Sequence, residues 1–305
     1  MQLRRLDPLA NAGPYQRLLK TAVKSFTLTE PQFERIRERR PELFVPSDEG
    51  AVVGHPIGDY LDVHYGFTEV LYFRDQFSEM FERCVAASSK DEAPRGVRLS
   101  FRDRPNRSIA EMVFWKSALE EGREWVEMNW VAVPEQPEPG IAAGDSFIVR
   151  EATERDRDLI AEIEAEVNGQ PRLTSTGLDS LYENARWIWV VQDKGGAPVG
   201  FLSLRTEPGG WGIIDQAVVR PAFADQVREA LLRWSIGWLR NNGGRRLRRQ
   251  VYMTDTADLT LLRDTGFMPG ETGLEYQRPV DPADLQAILE ERKSHAWYIT
   301  LGDWR

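Results

Sequence analysis

Cysteine is almost missing from this chain: among 305 residues there is one, Cys84. A single thiol excludes an intrachain disulfide and any site built from several cysteines. Histidine is nearly as scarce. His55, His64 and His295 are the three present, with no HxH or HExxH spacing, so a zinc centre is not expected. Positive charge is also in deficit: the net charge is −9 and the pI about 5.1, which argues against broad binding to nucleic acid. No apolar run is long enough to span a bilayer, and MQLRRLDPLANAG lacks the apolar core of a signal peptide. These absences lead to the expectation of a cytoplasmic protein in a reducing compartment, without membrane or nucleic-acid partners.

What is present is apolar and aromatic material for sizeable cores: 41% hydrophobic residues, with 10 Trp and 13 Phe. The length suits two domains. VPEQPEPGIAAGDS, Val133 to Ser146, is rich in Pro and Gly, has no hydrophobic period and reads as a linker.

The halves on either side of it resemble each other. LRRLD near the start answers VREAT at Val149, and EGAVVG (Glu49 to Gly54) answers GGAPVG (Gly195 to Gly200), both 146 positions apart. FRDQFSEMF (Phe73 to Phe81) answers FADQVREAL (Phe223 to Leu231), and RGVRLSF (Arg95 to Phe101) answers RRLRRQV (Arg245 to Val251), both 150 apart. Four weak matches in one order indicate a tandem duplication. The expected domains are 1–133, a linker at 134–146, a second domain at 147–280 and a tail at 281–305.

In the second copy, FIVR is a short strand. The helix that follows has Thr153 as N-cap and Leu159, Ile160, Ile163 and Val167 on one face. WIWVVQDKGGAPVGFLSLR reads as a hairpin, and GWGIIDQAVV as a further strand. A helix then carries Val227, Leu231, Trp234 and Trp238 at helical spacing and stops at Asn241-Asn242-Gly243-Gly244. RLRRQVYM is a strand read as a sheet edge, TADLTLLRDTGF a short helix and LEYQRP a closing strand. The tail begins a helix at Asp281-Pro282, and WYITL (Trp297 to Leu301) has strand composition. The fold class is α/β: a mixed, mostly antiparallel sheet flanked by helices in each copy.

This order resembles the GNAT acyltransferase superfamily, with Val219-Arg220-Pro221 before the long helix and Gly266-Phe267 after the last one. The resemblance covers about Phe147 to Pro279 directly and Leu3 to roughly Val133 through the repeat. It implies two tandem GNAT-like domains, with acyl-CoA lying where the fourth and fifth strands splay apart. In that family an [RQ]-x-x-G-x-[GA] loop holds the pyrophosphate on backbone N–H groups at a helix start. A carboxylate on the fourth strand deprotonates the amine, and a Tyr in the last helix protonates the departing thiolate.

By position, acetyl-CoA or another acyl-CoA falls to Val218, Val219, Phe223, Ala224, Asp225, Gln226, Val227 and Arg228, but both family glycines are absent from that stretch. Asp225, and Asp75 in the first copy, read as helix-start residues. Asp215 holds the position of the base, with Tyr65 as its first-copy counterpart. Leu262 stands where the family's Tyr would be, which leaves Tyr252 as the substitute hydroxyl. His64 is a second candidate base without an identifiable partner, and Trp211 a candidate pocket wall. Arg74, Arg220 and Arg228 are cations near the loops, each also compatible with a solvated helix face. Cys84 reads as a buried structural thiol. Three readings stay open: an N-acyltransferase acting on a small amine; a non-catalytic descendant binding a metabolite or partner protein in the same cleft; and a structural protein forming a homodimer.

Overall fold

In the computed structural model the described residues are 13–89, 94–102, 106–132, 147–169, 172–185, 187–207 and 209–302. LRRLD near the start and the linker at 134–146 lie outside them. The chain divides into two compact units, one of Met1–Gly122 with Leu274–Arg305 and one of Arg123–Gly273. The division therefore falls inside two strands, not at the Pro-rich linker, and the tail belongs to the first unit.

The second unit contains β7 (Phe147–Glu151), α5 (Arg157–Asn168), α6 (Ser175–Asn184), β8 (Trp187–Asp193), β9 (Pro198–Glu207) and β10 (Trp211–Val219). It continues through α7 (Ala224–Asn241), β11 (Arg246–Tyr252) and α8 (Thr256–Asp264). Strands β7 to β10 pair antiparallel in sequence order, and β10 pairs parallel with β11. On the far side of β11 lies β6 (Glu120–Val131), paired antiparallel from Arg246↔Val131 to Tyr252↔Trp125. The second copy thus takes its last strand from the sequence of the first. The RLRRQVYM strand lies between two neighbours and is not an edge.

Alternation along these strands divides the core in two. Leu202, Leu204, Ile214, Val219, Leu247 and Val251 face α7 and α8, where Val227, Leu231, Ile236 and Leu262 meet them. Ile188, Val190, Phe201 and Val218 face α5 and α6. Thr153 caps as expected, though on a 3₁₀ turn (Glu154–Asp156) that precedes α5, in a reciprocal bond pair with Asp156. Helix α7 ends at Asn241 before Gly243 at φ +79°, a conformation that suits glycine.

The first unit repeats the plan: α1 (Pro14–Leu19), α2 (Glu30–Arg39), β2 (Phe44–Pro46), β3 (Gly50–Ile57), β4 (Tyr60–Phe67), α3 (Val70–Ser88), β5 (Gly96–Phe101) and α4 (Arg107–Lys116). Again β4 and β5 are parallel, and β5 is flanked by a strand of the other copy: residues 274–279 of β12 (Met268–Pro279), paired from Leu274↔Phe101 to Pro279↔Gly96. One strand, β1 (Val23–Ser25), inserted between α1 and α2, has no counterpart among the described residues of the second unit.

In the tail, Asp281 Oδ1 accepts the Ala283 N–H at 2.8 Å and opens α9 (Pro282–Gly302). The helix runs through WYITL, so the strand read there is absent. A five-residue apolar run has no period of its own, and an established helix extends through it.

Candidate functional site

The site follows from how β10 and β11 part. Their ladder runs from Trp211↔Arg246 to Ile214↔Arg249 and ends. Between Ile214 and Gln216 the pairing of β10 with β9 shifts by a bulge, and Asp215 is the extra residue. A bulge bends and twists its strand, so β10 turns away from β11 at the aspartate. Beyond it β10 keeps β9 on one side and, among the described residues, has no strand on the other. The splay implied by the resemblance is present, with Asp215 at its apex.

Asp215 turns to the sheet face that carries Arg205 and Glu207. Its Oδ1 accepts from Arg205 Nε at 2.9 Å, and the side chain is 28% exposed. The packed surroundings raise its pKa, an effect that Arg205 and Arg248 only partly offset and that the carboxylate of Glu207 reinforces. Beside it Arg248 bridges Glu207 (3.0 Å) and Glu127 (3.4 Å), the latter on β6. Trp211 lies under Arg246 and Arg248, at 5.1 and 5.7 Å from its ring centroid, and so packs against cations. Tyr252 ends β11 three residues past the last ladder pair, on Arg248's face by alternation, with the Arg123 guanidinium 3.5 Å from its ring centroid.

Sequence reasoning missed two neighbours. Ser203 and Gln216 are cross-strand partners, and Ser203 Oγ and Gln216 Oε1 are buried with no hydrogen bond among the described residues. Two such atoms beside a candidate base are the kind of signal that register, and not sequence, supplies.

The opposite face of β10 forms the wall of a cleft against α7. Leu202, Ile214, Ala217, Val219, Leu231 and Leu232 line it with Arg228 and Arg249, around a space with room for about one water molecule. Arg249 is bonded to Asp258 on α8, and Arg228 stands 3.7 Å from the same carboxylate. Burial lowers the pKa of Arg249, and Asp258 and Asp255 counteract it. Two guanidiniums thus share one contacting carboxylate in an otherwise apolar cleft.

The residues proposed to hold the cofactor separate. Val219 and Arg228 reach the cleft; Val218 is buried on the α5 face, while Val227 is core and Phe223 packs against it. The turn before α7 is a single 3₁₀ turn (Pro221–Phe223). In it Phe223 N–H bonds Arg220 O at 2.9 Å and Ala224 N–H bonds Pro221 O. These two donors are engaged inside the loop. The side chains of Asp225 and Gln226 lie outside the described residues. Arg220 is held by Glu162 and Glu166 of α5, at 2.8 and 3.4 Å. Leu262 is fully buried and brings no hydroxyl.

At the matching position of the first unit no base is found among the described residues. Tyr65 is fully buried and stacked on Phe73, with ring centroids 5.0 Å apart. Helix α3 begins at Val70, so Asp75 sits in its second turn, paired with Arg74 at 2.7 Å, and does not start the helix. His64 is buried between Phe26 and His55, each 6.1 Å from it by ring centroid, and its Nδ1 lies 3.4 Å from Thr27 Oγ1. Cys84 is buried with its thiol pushed up to about 12, and its Sγ lies 3.6 Å from Leu43 O.

Neither a scan against protein-family profiles nor a search of curated proteins gives a match. Solved structures do. A GCN5-related N-acetyltransferase from Sphaerobacter thermophilus superposes at a TM-score of 0.56 with 17% identity, over 77% of this chain and 78% of that one. A functionally unknown conserved protein from Staphylococcus epidermidis gives 0.53 and 11%, over 77% and 92%. At such identities the likeness establishes the fold: this chain has the GNAT fold, an α/β sheet flanked by helices.

Proposed function

We propose that the second unit is an N-acyltransferase domain, moving an acetyl or other acyl group from acyl-CoA to a small amine. The observation that carries this reading is the bulge that puts the Asp215 carboxylate where β10 leaves β11. An ammonium has no lone pair to attack with; Asp215 takes its proton. Tyr252, on the same face, offers its hydroxyl proton to the leaving thiolate.

The fit to the donor is uneven. The Leu and Val walls of the cleft match the apolar character of its aliphatic arm, but the cleft has room for about one water and must widen to admit it. The diphosphate would have Arg228, which is about one-third exposed, in place of glycine amides. Acyl-CoA supplies the activated thioester.

A second reading, a non-catalytic domain taking a metabolite or partner in the same cleft, is favoured by the internal bonding of the Phe223 and Ala224 amides. Calorimetry with acetyl-CoA separates the two. Micromolar binding, followed by acetyl transfer to a screened amine that Asp215→Asn reduces at least a hundredfold, supports the first. Because the Asp215 pKa is raised, kcat/KM should fall with decreasing pH along a limb above the ordinary carboxylate range. Absence of binding overturns the acyltransferase reading.

A further inference from the structure

The two splays differ in one respect. In the first unit the β4–β5 ladder runs from Tyr60↔Gly96 to Val63↔Leu99 and stops, as its counterpart does in the second. There, however, the exposed edge of β4 is taken. Strand β1 pairs antiparallel with it, Val23↔Phe67, Lys24↔Gly66 and Ser25↔Tyr65, while β3 holds the other edge of the same residues. Ser25 Oγ donates to Ser100 O on β5, so β1 is tied to both diverging strands.

This insertion is accommodated and anchored. Gly66 makes room for it: a Cβ there would lie 2.6 Å from Thr21 Oγ1 and 3.0 Å from Leu18 Cδ2. Thr21 Oγ1 donates to Leu18 O at 2.7 Å and closes the turn into β1. Leu18, Val23, Leu28 and Phe33 are buried on either side of the strand, and Tyr15 OH donates to Leu28 O at 3.1 Å. An edge so occupied has no backbone groups left for an extended ligand.

We propose that β1 is a built-in plug: the splay of the first unit is closed by the chain's own Val23–Ser25, and the chain has one donor site, in the second unit. The stoichiometry rests on the acyltransferase reading; the plug does not. Two measurements on the full chain keep them apart. By hydrogen exchange, peptides covering 20–27 and 60–67 should be as protected as those of β3, and exchange at the rate of a surface loop overturns the plug. Gly66→Val should loosen 20–27 at least a hundredfold while 211–219 and 246–252 stay unchanged, and unaltered protection of 20–27 overturns it as well. Acetyl-CoA should titrate to one equivalent per chain. Two equivalents refute the single site. No binding refutes the acyltransferase reading, with the exchange result on the unmodified chain still deciding the plug.

Discussion

Asp258→Asn is the substitution whose cost follows most directly from the cleft. Asp258 is 5% exposed in the first turn of α8, where it accepts from Arg249 and faces Arg228 at 3.7 Å. The amide keeps the volume and removes the charge. Burial already lowers the pKa of Arg249, and Asp258 is the first influence opposing that. Its loss leaves one guanidinium buried beside another, and breaking a buried pair from one side costs about 3–5 kcal/mol. With a urea slope near 2 kcal/mol/M, the midpoint should drop by roughly 2 M. The reporter is near-UV circular dichroism of Trp187, Trp189, Trp234 and Trp238, whose rings lie 4.7–6.5 Å apart within the second unit. Arg249→Met in the Asp258→Asn background should recover most of the loss, because it removes the buried guanidinium that Asp258→Asn leaves without its carboxylate. A single-variant cost below about 1 kcal/mol, or a coupling under about 0.5 kcal/mol, would refute the claim that the cleft depends on this pair.

Two further outcomes follow from buried groups. Cys84, its thiol pushed up to about 12 by burial, should react with a disulfide reagent at pH 8 more than about a thousandfold slower in the native chain than in urea; equal rates would show that it is accessible. Asp156 accepts from both terminal nitrogens of Arg150 (2.9 and 2.7 Å) and from Thr153 N–H, which hold its carboxyl well below the usual range. Asp156→Asn should cost about 1–2 kcal/mol at pH 7, a figure reduced because Arg150 is 36% exposed. A depressed native pKa stabilises above the unfolded value, so the gap between the two proteins should begin to narrow below about pH 4 and close only well below that, and a gap unchanged at pH 3 would contradict it.

The repeat and the element order of the second copy were legible in local period and spacing, and the resemblance placed Asp215 on the fourth strand. Alternation would put Asp215 on the face of Ala217 and Val219, and the bulge turns it to the other. What escaped was pairing. In β6, Val126, Met128 and Trp130 alternate onto one face, which identifies a strand but not its partner. The alternation is satisfied equally by β5 or by β11, so nothing local announces the exchange. Glu127, Ser203 and Gln216 were invisible for the same reason: register alone brings Ser203 and Gln216 opposite each other next to the bulge and Glu127 to Arg248. Strand β1 was missed because three residues, VKS, are too short to show a period. Asp75 misled because the matched FxDQ sequences begin a helix in one copy and lie inside it in the other.

The exchange also bears on why two copies persist. Glu127 is encoded in the first copy, yet its carboxylate meets Arg248, which in turn holds Glu207 beside Asp215. Residues 274–279 are encoded in the second copy, yet Leu274 and Tyr276 are buried in the core of the first unit, and Arg278 bonds Glu82 and Ser117 O there. Each unit would lose a strand, and the buried side chains on it, if the copies were separated at the linker. A first copy with a closed splay and no carboxylate at the base position is therefore not dispensable. It provides the strand that covers β11, and through Glu127 it takes part in the charge network around Asp215.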